Sequence, residues 1–237
     1  MSHVNLPGGA AVIHLSKVTK LNAGKTALRE ATMVVPKGSY AILEVNSELT
    51  GTLLLRLLMG YERPERGTVR VNEIDVTRLS QERVPFLRRN IGWMEFKPNL
   101  AGNRTVLENL AMPLQIAGFN RKALRERITE KLEEASLASV ANVLVQQLDT
   151  SDRRLLACAR ATVHNPQTIL ADRPESQVSE SNQKLIFSML ETANANGATV
   201  MVITDNSIPV RGFTHSMQTY KGSIIQNKNT TGRLIKG

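Results

Sequence analysis

Glu48 and Thr52 stand where one apolar run, residues 40–45, gives way to another, the leucine-rich residues 52–59. The first run has the length of a strand buried on both faces; the second is made of a good helix former and stops at Gly60. A strand-to-helix junction presents free backbone N–H groups and the positive end of the helix dipole, which suits a phosphate. Here an acid occupies that end. The Glu48 carboxylate is therefore expected to cap the helix and fill the anion site from within. A second polar pair, Asp172-Arg173, ends the apolar run 168–171. Arginine stays protonated and cannot polarise water as a general base. A third cluster, Leu148-Asp149-Thr150-Ser151-Asp152, places two carboxylates around the start of a helical stretch at 151–164. The histidines at 3, 14, 164 and 215 have no ligand-like spacing, so no metal site is expected. Cys158 is the single cysteine, lies inside that helical stretch, and reads as a small buried apolar residue with no disulfide partner.

The elements that hold these residues alternate in type. Alternation over 11–18, the turn Asn22-Ala23-Gly24-Lys25 and the run 32–35 ended by Pro36 suggest paired strands. Val69, Val71, Ile74 and Val76 around Asn72-Glu73 suggest a short hairpin. Thr105-Val106-Leu107-Glu108 fits a capping box that starts a helix, and Pro113 inside it is expected to kink it. Residues 121–136 interleave charges of both signs, as on a solvated helix face. Beyond 164 come a strand ending at Asp172, a helix over 181–196, a strand over 198–204, and a hairpin of 217–220 with 223–226. Strand–helix alternation with buried-type strands means an α/β fold with a largely parallel sheet.

Composition limits the function classes. With 237 residues, 41% hydrophobic and 22% charged, the chain is an ordinary globular one. Thirty Lys and Arg against 21 Asp and Glu leave a charge of +9, and no acid follows Asn206. That suits an anionic partner. Aromatic content of 4%, without a helix-turn-helix, zinc or RNP-type motif, argues against nucleic acid. Anionic lipids, which attract each surface Lys or Arg by about 1 kcal/mol, account for the charge equally well. Neither a secretory leader in the first eleven residues nor a bilayer-spanning apolar run is visible.

Several phrases, Arg83-Val84-Pro85-Phe86-Leu87-Arg88-Arg89-Asn90-Ile91-Gly92 and Asn103-Arg104-Thr105-Val106-Leu107-Glu108-Asn109-Leu110 above all, resemble the bacterial cell-division ABC ATPase family (FtsE-type). Met112-Pro113-Leu114, Gly60-Tyr61-Glu62-Arg63-Pro64 and Ile169-Leu170-Ala171-Asp172 fit the same template, and the resemblance spans about residues 11–226. It implies a RecA-like P-loop NTPase core with an antiparallel β-sub-domain (11–95 and 165–226), a helical sub-domain (96–164) and a basic tail (227–237). It also implies ATP and Mg²⁺ as cofactors, a dimer, and a permease-like membrane subunit above it.

The site residues depart from that family. Its phosphate loop, G-x-x-x-x-G-K-[ST], uses glycines to wrap backbone around phosphate and a lysine to neutralise it. The corresponding stretch is Val45-Asn46-Ser47-Glu48-Leu49-Thr50-Gly51-Thr52, with Gly51 at the lysine position and only Thr52 matching. Asp172 matches the metal-positioning acid, but Arg173 stands for the catalytic Glu, Phe96 for the metal-sensing Gln, and Asp205 for the switch His. Ser179 replaces a loop Asp, Asp149, Thr150 and Ser151 replace the glycine-bearing signature, and no adenine-stacking aromatic lies near 18–21. Both halves of a composite ATP site are lost, whether the chain pairs with itself or with an intact cassette. Phosphoryl transfer rests on positioning and charge neutralisation, so no bound cofactor is expected.

Family membership alone implies ATP hydrolysis; with these departures the expectation becomes a catalytically inactive cassette subunit, cytoplasmic and peripheral at the membrane, that keeps its docking surface. Arg88, Arg89, Trp93 and Phe96, with Met94, are the expected partner contacts. An ATPase working through an irregular site built on Ser47, Thr52 and Asp172 is the alternative. Glu48 and Arg173, brought side by side by such a fold, are expected to pair in place of phosphate and water.

Overall fold

The computed structural model describes residues 11–205 and 213–226. Two long strands, β1 (Ala11–Asn22) and β2 (Lys25–Pro36), form an antiparallel hairpin closed at Ala23-Gly24, both with positive φ. Both strands run further than their alternation suggested. Bulges at Lys17 (φ 47°) and Glu30 (φ 44°) shift the parity of inward positions, so that Ile13 and Leu15 are followed inward by Val18 and Lys20. A period-2 pattern broken this way cannot be followed by eye. β4 (Arg66–Val71) and the two-residue β5 (Ile74–Asp75) complete a four-stranded sheet in the order β2-β1-β4-β5.

The second sheet has the order β10-β9-β3-β8-β7-β6. Its strands are β3 (Tyr40–Glu44), β6 (Ile91–Met94), β7 (Thr168–Asp172), β8 (Thr199–Thr204), β9 (His215–Tyr220) and β10 (Ser223–Gln226). All neighbours pair in parallel except the β9–β10 hairpin. Alternate side chains face two separate cores, as side-chain period 2 requires. Ile42, Ile169, Ala171, Val200 and Val202 face the layer of α3 (Val106–Ile116), α4 (Arg121–Glu134), α5 (Thr150–Thr162) and α6 (Glu180–Ala195). Leu43, Leu170, Met201 and Ile203 face α1 (Glu48–Leu58) and the four-stranded sheet. The helical stretch 106–162 thus shares one core with the central sheet and does not build its own.

Thr105 closes the expected capping box: its Oγ1 accepts from the Glu108 N–H at 3.1 Å, and the Glu108 carboxylate accepts from the Thr105 N–H at 2.7 Å. The helix continues past Pro113 to Ile116. β6 is the strand that the sequence reading did not name, because Gly92 interrupts a four-residue run. That glycine is required: a Cβ there would lie 1.9 Å from the carbonyl oxygen of Ala161 on α5. Val76 leaves the expected hairpin and opens a 3-10 turn, Val76–Arg78, capped by Asp75. A five-residue helix, α2 (Val84–Arg88), leads into β6. Cys158 is fully buried, and burial pushes its thiol up to about 12, which leaves it an inert core residue. The basic segment 227–237 lies outside the described residues.

Candidate functional site

The carboxyl ends of β3 and β7, adjacent to β8 on either side, bring the two polar junctions together. Arg173, one residue past β7, turns back over the start of α1 and is almost wholly buried (2% exposed). Its Nε meets Asp172 Oδ1 at 2.9 Å, and its Nη2 reaches Asp172 Oδ2 at 3.4 Å and Thr52 Oγ1 at 3.1 Å. Thr52 Oγ1 in turn donates to Asp172 Oδ2 at 2.9 Å. The remaining nitrogen, Nη1, lies 3.2 Å from Glu48 Oε1, so the expected ion pair is present. The Phe96 ring closes the face of the guanidinium at 3.8 Å. Burial pulls the Arg173 pKa down, and the carboxylates of Asp172 and Glu48 more than offset it, raising it above the ordinary arginine value. The backbone at Arg173 has φ +44°, a left-handed conformation that costs a non-glycine residue about 1 kcal/mol.

A second buried arginine stands behind the first. Arg154 on α5 donates from Nη1 to the carbonyls of Glu95 (2.9 Å) and Phe96 (2.6 Å), and from Nη2 to the carbonyl of Arg173. It ties the loop after β6 to the end of β7. Burial lowers its pKa, against the opposing pull of Glu175. The Glu175 carboxyl is itself raised by burial, although the Thr204 hydroxyl donates to it. The sequence reading missed both residues. Arg154 directly precedes the apolar run Leu155-Leu156-Ala157-Cys158-Ala159 and follows Asp152-Arg153, so nothing in its local sequence separates it from the neighbouring solvated charges.

Three expectations need correction. Glu48 does not cap α1: the N-cap is Ser47, which makes no side-chain hydrogen bond, and the Glu48 carboxylate turns out to Arg173. The stronger, charged donor wins the carboxylate over a backbone N–H. Phe96 does not line the groove with Arg88 and Trp93; its ring lies under Arg173, beside the start of α1. Met94 is fully buried in the core. Asp149, in the stretch that replaces the signature, is the N-cap of α5 and accepts from the Asp152 N–H at 2.8 Å. Beside it Thr150 opens α5, and Ser151 Oγ accepts from Asn182 Nδ2 at 2.6 Å. Ser179 caps α6, and Asp205 lies exposed next to Glu175, whose pKa it helps to raise.

Two clefts open beside the start of α1. One, of about 510 Å³, is bordered by Glu48, Thr52, Arg56, Glu95, Phe96 and Asp172. The other, of about 1150 Å³, lies between the β1–β2 turn and the β9–β10 turn, with Lys25, Arg29 and Lys221 around it. Gly51 sits between them inside α1. A Cβ on it would meet Ile203 Cγ2 at 2.8 Å and Val45 Cγ2 at 3.3 Å, so the interior has grown into the space a side chain would need. On another face, a groove of about 480 Å³ is lined by Pro85, Arg88, Trp93, Met112, Arg160 and His164. Arg88 stacks 3.5 Å over Tyr61, and Tyr61 packs on Trp93 at 5.3 Å. Arg89 covers Phe86 at 4.8 Å, while Phe86 and Ile116 remain exposed. Trp93 Nε1 and His164 Nδ1 are buried without a hydrogen-bond partner.

Comparison with known proteins places these features in context. Residues 51–176 match the family described as ABC transporter. The chain is 36% identical over 195 residues to the cell division ATP-binding protein FtsE of Haemophilus influenzae, covering 81% of this chain and 89% of that protein. Against its Escherichia coli K12 counterpart identity is 34% over 191 residues, covering 81% and 85%. Among solved structures, the dimeric ATP-binding cassette MJ0796 bound to ADP and Pi superposes with a TM-score of 0.83 at 26% identity, covering 91% of this chain and 98% of that one.

Proposed function

Because the chain belongs to the ABC transporter family, in its ATP-binding cassette branch, we propose that it is a cassette subunit that works without ATP hydrolysis and serves by docking on a membrane protein. One observation carries this reading. The Thr52 hydroxyl and the Asp172 carboxylate, which would hold magnesium in an intact cassette, are both engaged by the Arg173 guanidinium. The residues present do not fit a magnesium nucleotide. The phosphate-neutralising lysine is Gly51 with no room for a side chain, Glu48 adds negative charge where phosphate would lie, and a fixed cation occupies the metal's seat. No residue in place of the catalytic Glu can accept a proton from water, since Arg173 stays charged.

The docking partner in this reading is a permease-like membrane protein, and the process is the cell division named in the FtsE relatives. Its contact is the groove of Arg88, Arg89 and Trp93. Exposed Phe86 and Ile116 supply apolar area, and Arg88, Arg89 and Arg160 favour an acidic segment. The protein would lie at the cytoplasmic face, held there by its partner and by anionic lipid; among the described residues no helix is long and apolar enough to cross a membrane. Pairing with a second copy or with an intact cassette belongs to the same proposal.

Calorimetric titration of the purified chain with Mg-ATP is the direct test. No saturable heat is expected, and micromolar binding overturns the reading. The wide cleft with Lys25, Arg29 and Lys221 favours one alternative, binding of nucleotide without metal; titration in excess EDTA separates it. For the docking part, a single multi-spanning membrane protein should copurify with the wild-type chain and be lost with Arg88→Glu, whereas retention by that variant sinks the groove assignment.

A further inference from the structure

The geometry points to Arg173 as a built-in cation that substitutes for a divalent ion and clamps three segments together with no ligand present. This rests on the reading above only in that the metal seat is closed. A hydroxyl and two carboxylates converging on one point, Thr52, Asp172 and Glu48, are an oxygen set of the kind that hard divalent cations take. The guanidinium brings positive charge and a planar fan of N–H donors to that same point, and it reaches all three groups. An ordinary core ion pair needs one carboxylate. Here the chain also adopts a left-handed backbone at Arg173, rare for an L side chain, to aim the fork there.

The segments so joined are the start of α1 (Glu48, Thr52), the end of β7 (Asp172) and the loop after β6 (Phe96). Arg154 locks the same loop from the other side through the carbonyls of Glu95 and Phe96. That loop leaves β6 one residue beyond Trp93 and Met94, and Trp93 lines the docking groove. The groove's shape is therefore set by the chain's own cation and not by a bound metal or nucleotide.

The test uses the full chain and Mn²⁺, read by the paramagnetic resonance of the free ion. Wild type should leave the free signal undiminished. Arg173→Ala should bind Mn²⁺ with a Kd below about 1 mM through Asp172, Glu48 and Thr52, and the added Asp172→Asn change should abolish that binding. The Ala variant should melt about 10 °C below wild type, with Mn²⁺ at a hundred-fold excess over Kd restoring about 5 °C or more. No Mn²⁺ binding by a folded Ala variant, or equal binding by wild type, overturns the inference. Should that variant not fold, hydrogen exchange on wild type decides: amides 50–52 in the first bonded turn of α1 should be protected in EDTA and unchanged by Mg²⁺. Exchange at open-loop rates, or at least tenfold slowing by Mg²⁺, is the contrary result. In the wild-type chain, nucleotide binding without Mn²⁺ uptake overturns the functional reading alone, whereas Mn²⁺ uptake without nucleotide binding overturns this one alone.

Discussion

Restoring a lysine at position 51 asks whether the lost charge is a change of one residue or of the surrounding interior. Gly51 is buried inside α1, and an added Cβ would stand 2.8 Å from Ile203 Cγ2, well inside normal contact. Ile203 belongs to β8 and is fully buried, so its Cγ2 moves aside only by a χ1 rotation that the branched side chain and the packed core both oppose. Overpacking of this sort costs about 1–3 kcal/mol. Replacing glycine in a helix returns about 0.7 kcal/mol. The overpacking outweighs the helix gain, so Gly51→Lys should lose about 2 kcal/mol. For a chain of this length that is a melting point lower by about 4–8 °C, read by thermal unfolding. Ile203→Ala alone should cost about 2–5 kcal/mol, and the double variant should be less unstable than the sum by about 1 kcal/mol, because the truncation makes the room that lysine needs. A single variant as stable as wild type, an additive cycle, or micromolar Mg-ATP binding by Gly51→Lys alone would refute the reasoning.

Three further outcomes follow from the same geometry. Glu48→Gln should lower stability by only about 0.5–1 kcal/mol, because the Glu48 side chain is mostly exposed, while Asp172→Asn should cost about 3 kcal/mol or more; denaturant titration of the two ranks which carboxylate holds Arg173. Burial raises the Glu175 pKa, so that residue contributes stability at pH below about 4.3 that is lost as pH climbs through its folded value. Glu175→Gln should therefore melt above wild type at pH 8 and level with it at pH 4, and a gap that does not change with pH would contradict this. Burial lowers His164 to about 4, so the stability present above about pH 6.5 falls as pH drops towards 4, by up to about 2 kcal/mol at pH 5; His164→Gln should flatten that part of the pH–stability curve.

Much of the framework was legible locally. The capping box at Thr105 and Glu108, the stop at Gly60, the turn at Ala23-Gly24 and the strand β3 at 40–44 are each decided by short-range chemistry, so residue types a few positions apart suffice to find them. The long β1 and β2 were only half visible, because their bulges reset the alternation that marks inward positions. The identities in the site were legible as well: a glycine for a lysine at 51, an arginine after Asp172, an acid at 48.

What sequence alone determined, then, was a parallel α/β framework and the residue types that stand at its polar junctions, an acid at 48, a glycine at 51 and an arginine at 173. Which partner each polar group would take was a tertiary decision. Glu48 had a backbone N–H within its own helix and chose a guanidinium 125 positions away, because β3 and β7 end side by side and a charged donor outcompetes a neutral one. Phe96 and Arg154 acquired their roles only when the loop after β6 folded against that same guanidinium.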